Sequence, residues 1–143
     1  KPELVIECSL HDIIPDEKEL ISKTMADLTD TGEIDLIFTT GGTGLAPRDV
    51  TPEATLAVCD RLVPGITDAM RLRSLEVTNR AMLSRAIAGT RGKTLIINLP
   101  GSPKAAKECL EVFLPVLDHA VETLRGEAYE CGRKDESSPI LNK

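Results

Sequence analysis

A glycine-rich segment at residues 39–44, with the sequence TTGGTG, has the composition of a loop that binds phosphate. Glycines allow the backbone to turn through positive φ, and they let N–H groups approach phosphate oxygens without a Cβ in the way. A tight turn between a strand and a helix, with no ligand, is the alternative, and the glycines alone leave both interpretations open. The segment is not a dinucleotide fingerprint, because Pro47 stands where the third glycine would fall.

Two aspartates, Asp16 and Asp49, have side chains that could hold a divalent cation beside a bound phosphate. Carboxylates near an anion site can hold Mg²⁺, which neutralises charge and orients the phosphates. Asp16 has a competing role, because Asp16 with Glu19 three residues later also predicts a helix N-cap. For Asp49 the competing interpretation is weaker, since it lies between the glycine segment and Thr51, where a carboxylate would otherwise repel an anionic ligand.

Other polar residues give weaker signals. Ser84 and Arg85 offer a hydroxyl and a guanidinium that could hold a second phosphate, but an ordinary surface turn explains them equally well. The triplet Gly92-Lys93-Thr94 is not a P-loop, because Ile87 occupies the position of the required first glycine and the triplet precedes a strand.

Stretches of β-branched residues alternate with amphipathic stretches along the chain, which predicts strands alternating with helices. The last helix is predicted to begin at Ser102-Pro103, to be kinked at Pro115 and to reach about Leu124. The predicted strands are 4–10, 34–39 and 94–99; the predicted helices run from Asp16 to Gly32, from Thr51 to a point before Pro64, and over 66–75, and residues 78–91 are predicted to be irregular.

This alternation predicts an α/β fold, a three-layer α/β/α arrangement with a mostly parallel sheet. Ligands of such sheets lie beyond the carboxyl ends of the strands, which is the position predicted for residues 39–49 and 98–103. We predict one domain over residues 1–125 and a flexible tail or linker over residues 126–143.

Composition excludes several functional classes. The net charge of −6 and an aromatic content of 2% argue against nucleic-acid binding, which favours basic surfaces and aromatic platforms. The four cysteines and two histidines have no zinc-ligand spacing. Reduced thiols in a cytoplasmic protein are the expected interpretation. No apolar run approaches the length of a membrane span, and no signal peptide is recognisable.

Residues 39–55, with the sequence TTGGTGLAPRDVTPEAT, resemble the signature of the MogA/MoaB family and of the gephyrin G domain, which act in molybdenum cofactor biosynthesis. The resemblance covers about residues 4–125 and is closest to the gephyrin-like branch. Further matches in family order are residues 14–17 (IPDE), 64–65 (PG), 81–85 (AMLSR), 89–94 (GTRGKT) and 95–102 (LIINLPGS).

This resemblance implies a homotrimeric molybdopterin adenylyltransferase that uses Mg²⁺, ATP and molybdopterin, with a molybdate-insertion domain or protein acting downstream. It implies that Asp16 and Asp49 are the acids needed for adenylation. The implied substrate and nucleotide contacts are Gly41, Gly42, Thr43, Gly44, Ser84, Asn98, Pro100, Gly101 and Ser102.

Two other functions are consistent with the same pattern. A non-catalytic molybdopterin-binding or scaffold domain of a larger protein would keep the pocket, and a related module could belong to a nucleotide-salvage or molybdate-insertion enzyme. Two retained carboxylates favour the enzyme, because binding an anion has little use for them. The family opens with a strand and a Ser-Asp loop ahead of the segment that begins here, so we expect an additional strand to precede Lys1.

Overall fold

A computed structural model describes residues 5–126. Within them four α-helices and four β-strands alternate irregularly along the chain. The elements are α1 (Lys18–Asp30), β1 (Leu36–Thr40), α2 (Thr51–Val58), β2 (Arg61–Leu62), α3 (Pro64–Leu75), β3 (Ala88–Arg91), β4 (Thr94–Leu99) and α4 (Pro103–Arg125), with a short 3-10 helix at Asn79–Leu83.

The strands form one sheet in the order β1-β4-β3-β2. β1 pairs with β4 in parallel, with Leu36 opposite Leu95 and Thr40 opposite Leu99. The pairings of β4 with β3 and of β3 with β2 are antiparallel. The predicted α/β fold is therefore confirmed, but the prediction of a mostly parallel sheet is corrected for the described residues: a turn at Gly92 joins β3 to β4 as an antiparallel hairpin, and β1–β4 is the only parallel pair among residues 5–126.

Helices cover both faces of this sheet, which confirms the three-layer arrangement. β4 is buried along its whole length, and its side chains alternate between two cores. Leu95, Ile97 and Leu99 pack with α3 and α4, including Met70 and Phe113. On the opposite face Ile96 packs with residues of α1 and α2, namely Ile21, Met25, Ala54 and Val58.

Two predictions about the strands are wrong. The predicted strand at residues 4–10 is absent from residues 5–10, where the chain has no regular structure and Val5 is 86% exposed. No strand among residues 5–126 pairs with this segment, and an unpaired strand has neither hydrogen-bond partners nor a buried face. Conversely, β2 and β3 were not predicted, because two-residue and four-residue strands carry no recognisable periodicity.

Of the two predicted helix caps, one is confirmed and one is wrong. Ser102 caps α4 as predicted, its hydroxyl accepting a hydrogen bond from the Ala105 amide, and that helix runs without interruption through Pro115 to Arg125. The prediction of Asp16 as the cap of α1 is wrong, because the cap position lies one residue later, at Glu17, and no side chain caps the helix. The carboxylate of Asp16 is therefore not used by the helix. Across residues 5–126 no helix combines the length and apolar character needed to cross a membrane.

The predicted tail largely falls outside this description. Gly126 ends α4 in the left-handed conformation, with φ of 81°, and residues 127–143 lie outside the described residues. The domain boundary at residues 125–126 therefore remains a prediction.

Gly89 in β3 lies against the neighbouring strand β2 and against Cys59, the residue that follows α2. A Cβ at this position would lie 2.6 Å from the Cys59 sulfur and 2.8 Å from the Arg61 carbonyl oxygen. We expect Gly89→Ala to lower the free energy of unfolding by about 2 kcal/mol or more, measured by chemical denaturation. Gly65→Ala in α3 is the control, because no atom lies within 4 Å of its Cβ and Ala favours helix. Equal stability of the two variants would contradict this account of Gly89.

Candidate active site

The loops that follow β1 and β4 are in direct contact, because both parallel strands end at the same edge of the sheet. The Gly41 amide donates a hydrogen bond of 3.0 Å to the Leu99 carbonyl. A Cβ on Gly101 would lie 3.3 Å from the Gly41 Cα, so the two backbones approach as closely as glycine permits. The sequence prediction that residues 39–49 and 98–103 come together is confirmed.

The glycine loop has a backbone that only glycine accommodates easily. Gly41 and Gly42 have φ of 83° and 67°. A Cβ on Gly42 would overlap the hydroxyl of Thr51, and the Gly42 carbonyl accepts a 3.2 Å hydrogen bond from the Thr51 amide. Among residues 5–126, nothing accepts a hydrogen bond from the backbone amides of Gly42, Thr43, Gly44 and Leu45. A run of unpaired N–H groups at a turn is the arrangement that binds anions.

Both predicted carboxylates lie close to this loop, one near Gly42 and the other near Gly44. Asp16 Oδ1 lies 3.8 Å from the point where a Cβ on Gly42 would stand, and Asp49 Oδ2 lies 2.9 Å from the corresponding point on Gly44. Asp49 Oδ2 also accepts a 3.0 Å hydrogen bond from the Ala46 amide. The carboxylate of Asp16 has no hydrogen-bond partner among residues 5–126. The structure therefore brings Asp16 and Asp49 to the same loop although 33 positions separate them in the sequence.

Two carboxylates are too few for a metal whose ligands all come from the protein, but they suit Mg²⁺. Within residues 5–126 no group of three or more His, Cys, Asp or Glu side chains could enclose a metal. Mg²⁺ commonly takes one or two carboxylates and completes its octahedron with water and substrate phosphates. A glycine loop with unpaired amides between two carboxylates offers that combination.

Asn98 differs from the other predicted contacts because it is fully buried. Its amide nitrogen donates to the hydroxyls of Thr39 and Thr55, at 2.9 Å each, and its carbonyl oxygen accepts from the Ile87 amide at 3.0 Å. Asn98 therefore ties β1, α2 and the start of β3 together from inside the protein. Its side chain lies beneath the loops, and its contact with the nucleotide remains a prediction.

The remaining predicted residues line the outer part of the site. Pro100 is half-buried, whereas Gly101 and Ser102 are exposed. Ser102 is the N-cap of α4, so the positive end of that helix lies directly after the loop. Ser84 is half-buried, and its hydroxyl accepts a 3.3 Å hydrogen bond from the Ala86 amide. It reaches the glycine loop through its neighbour Arg85, whose amide donates to the Thr43 carbonyl at 2.9 Å.

Arg85 also carries an ion pair that predicts how stability depends on pH. Its guanidinium bonds the Glu53 carboxylate, which lowers the pKa of Glu53 below its ordinary value. A carboxyl group whose pKa is lower in the folded state stabilises the fold at pH values above its ordinary pKa, about 4.3. This stabilisation is lost as the pH falls through the lowered pKa. Between pH 7 and pH 3 we therefore expect the melting temperature of Glu53→Gln to fall less than that of the wild type. Glu19→Gln, on the exposed part of α1, controls for the loss of one carboxyl group, and equal slopes for Glu53→Gln and wild type would contradict the prediction.

Two other hollows occur in the described residues, and neither has the chemistry of the glycine loop. One of about 220 Å³ lies at the opposite end of β4, lined in part by Asp35, Lys93 and Thr94. The other, of about 200 Å³, lies between α3 and the edge of β3. The loops after β1 and β4, with their unpaired amides and two carboxylates, are therefore the candidate active site.

Residues 3–119 match the family described as "probable molybdopterin binding domain". The chain belongs to this family. It is 45% identical over 125 residues to a molybdopterin adenylyltransferase of Helicobacter pylori, which covers 87% of this chain and 71% of that protein. It is also 50% identical over 147 residues to gephyrin of Dictyostelium discoideum, which covers 94% of this chain but only 20% of that protein.

Solved structures of this family have the same fold. The molybdopterin biosynthesis enzyme MoaB of Thermus thermophilus is 56% identical and superposes with a TM-score of 0.73, covering 78% of this chain and 70% of the other. Membership of the MogA/MoaB family, predicted from the motif at residues 39–55, is thus confirmed.

Proposed function

We propose that this domain is a molybdopterin adenylyltransferase of molybdenum cofactor biosynthesis, which joins molybdopterin to the adenylyl group of Mg-ATP. The observation that carries the proposal is the contact between the loops after β1 and β4, where unpaired amides lie between two aspartates. Relatives that carry this name in Helicobacter pylori and Escherichia coli are 45% and 52% identical over the aligned residues.

In the proposed reaction, an oxygen of the terminal phosphate of molybdopterin forms a bond to the α-phosphorus of ATP. The bond from that phosphorus to the bridging oxygen breaks, and pyrophosphate leaves with the bonding electrons. Joining two polyanions chiefly requires that the phosphates be held in line and that their charge be neutralised. This requirement is consistent with a site made of backbone amides and carboxylates, in which no histidine or cysteine nucleophile is needed.

The residues divide into two sets in this proposal. The amides of residues 42–45 and the positive end of α4 bind phosphate oxygens, with Ser84, Pro100, Gly101 and Ser102 lining the rest of the site. Asp16 and Asp49 hold Mg²⁺, which when bound would neutralise phosphate charge and orient the phosphates. Asn98 fixes the strand ends from which both loops emerge.

The test is incubation of the purified protein with molybdopterin, MgCl₂ and ATP while pyrophosphate release is followed. We expect release that depends on molybdopterin and stops when the metal is chelated. No release above the control without molybdopterin, from a protein that binds molybdopterin, would reject the enzyme. That result would favour the alternative of a non-catalytic molybdopterin-binding or scaffold domain, which the similarity to a small part of a much longer gephyrin also supports.

Three further features belong to the same proposal. We propose a homotrimer, which a monomeric mass at micromolar concentration would contradict. The adenylated product would pass to a molybdate-insertion domain or protein. The cytoplasm is the proposed compartment, supported by the free thiols of Cys8, Cys59 and Cys109.

A further inference from the structure

The Arg85 side chain bonds two carbonyls of the glycine loop and its following residues. Its Nε donates to the Gly44 carbonyl at 2.8 Å and its Nη2 donates to the Asp49 carbonyl at 2.7 Å. Its Nη1 bonds the Glu53 carboxylate in the first turn of α2. All three nitrogens of the guanidinium therefore have protein partners, and they join both ends of the loop to the following helix.

The loop makes few other contacts that would fix these peptide groups. The Asp49 amide donates to the Ala46 carbonyl at 2.9 Å, and the Thr51 amide donates to the Gly42 carbonyl at 3.2 Å. Neither bond involves the carbonyls of Thr43 or Gly44. Those two carbonyls are instead bound by the Arg85 amide and by Nε, respectively.

The direction of a carbonyl determines the direction of the next amide. In a planar trans peptide, the N–H of one residue points opposite to the C=O of the residue before it. Because the Thr43 and Gly44 carbonyls point at Arg85, the amides of Gly44 and Leu45 point to the other side of the loop. These are two of the amides that have no partner among residues 5–126.

We propose that Arg85 is a positioning residue that orients the Gly44 and Leu45 amides toward a phosphate group of the substrate, and that Glu53 fixes the guanidinium for this role. The proposal rests on the proposed function for the identity of that substrate. It differs from one of the two interpretations that the sequence left open, in which the guanidinium itself holds a phosphate, because three of its five N–H donors, one on each nitrogen, already bond within the protein.

Three variants with one control test this proposal. Arg85→Lys keeps the charge but replaces the fork by a single ammonium, which cannot bond three separated acceptors. Arg85→Met removes the charge, and Glu53→Gln removes the ion pair while leaving Arg85 in place. Arg80→Lys is the matched control, because Arg80 lies exposed in the adjacent 3-10 helix and its side chain has no partner among residues 5–126.

The first measurement is hydrogen exchange at the bonded loop amides of Ala46, Asp49 and Thr51, in the protein without substrate. We expect exchange to be about tenfold faster or more in Arg85→Lys and Arg85→Met and unchanged in Arg80→Lys. Exchange at wild-type rates in both Arg85 variants would overturn the proposal. If the Arg85 variants do not fold, Glu53→Gln decides: faster exchange supports the proposal and unchanged exchange rejects it.

The second measurement is the kinetics of pyrophosphate release. Misdirected amides would hold the reacting phosphates out of line. We therefore expect kcat to fall roughly tenfold or more in both Arg85 variants, while the KM for Mg-ATP changes by less than about threefold. Arg85→Lys should not recover the lost kcat. A raised KM that Lys rescues would instead mean that Arg85 binds phosphate directly. A wild-type protein that releases no pyrophosphate would reject the proposed function, while loop exchange would still test the role of Arg85.

Discussion

Asp49→Asn is expected to lower the rate of pyrophosphate release by roughly 10²-fold or more, while molybdopterin binding stays within about threefold of wild type. The carboxylate lies at Gly44 beside unpaired amides that suit phosphate, so removing its charge removes a ligand for Mg²⁺ at the position where phosphate charge must be neutralised. The expected loss corresponds to about 3 kcal/mol of transition-state stabilisation, the size of effect that a metal-bound charge supplies.

Asn suits this test because it preserves the local structure. The Asp49 oxygen that accepts a hydrogen bond from the Ala46 amide is replaced by an amide oxygen that accepts the same bond, so the loop keeps its shape. Binding of molybdopterin should be measured by equilibrium titration, and turnover by pyrophosphate release at concentrations of MgCl₂ and ATP that saturate the wild type. Raised MgCl₂ should recover part of the activity if weakened metal binding is the cause.

Two further variants separate catalysis from folding. Asp16→Asn should lower turnover in the same direction, because its carboxylate approaches Gly42 and has no hydrogen-bond partner among residues 5–126. Asp27→Asn is the matched control, since Asp27 pairs with Lys23 on the exposed surface of α1. If Asp49→Asn lost binding and turnover equally, Asp49 would be a structural residue of the loop and the assignment of its metal-binding role would be wrong.

The sequence predicted those parts of the fold that local chemistry determines. β4 was predicted with both ends correct, because an apolar run at residues 94–99 lies between a glycine turn and Pro100-Gly101. The start of α4 followed from Ser102 and Pro103, and the meeting of the two loops followed from parallel strands ending at one edge. The short strand β3 was missed because the sequence AGTR at residues 88–91 becomes a strand only through its pairing with β4.

The site shows the same limit. The glycine loop and both aspartates were predicted from the sequence, since their residue types indicate phosphate binding and metal binding. It could not show that Arg85 binds the Gly44 carbonyl, because 41 positions separate these residues and an arginine in a turn is usually solvated. The cap at Asp16 was misplaced because Asp is by local preference the better capping residue, yet α1 begins after Glu17 with no side-chain cap. Only the folded chain shows that Asp16 approaches the loop instead.

Asn98→Leu is expected to lower the free energy of unfolding by about 3 kcal/mol or more. The substitution keeps roughly the same shape but leaves the Ile87 amide without its 3.0 Å acceptor and removes the donor to the hydroxyls of Thr39 and Thr55. Each buried polar group left unpaired costs about 1–3 kcal/mol. Chemical denaturation followed by circular dichroism measures the effect, provided that the slope with denaturant is unchanged.

A double-mutant cycle with Thr39→Val tests whether the lost hydrogen bonds are the cause. Val has nearly the shape of Thr, so removing both partners of one bond should cost less than the sum of the single substitutions. Leu20→Ala on the surface of α1 should add to Asn98→Leu without coupling. If Asn98→Leu kept wild-type stability but lost nucleotide binding, the original prediction of Asn98 as a nucleotide contact would stand. Stability lost together with the loop contacts would instead place Asn98 beneath the site, as the residue that holds the ends of β1 and β4 in register.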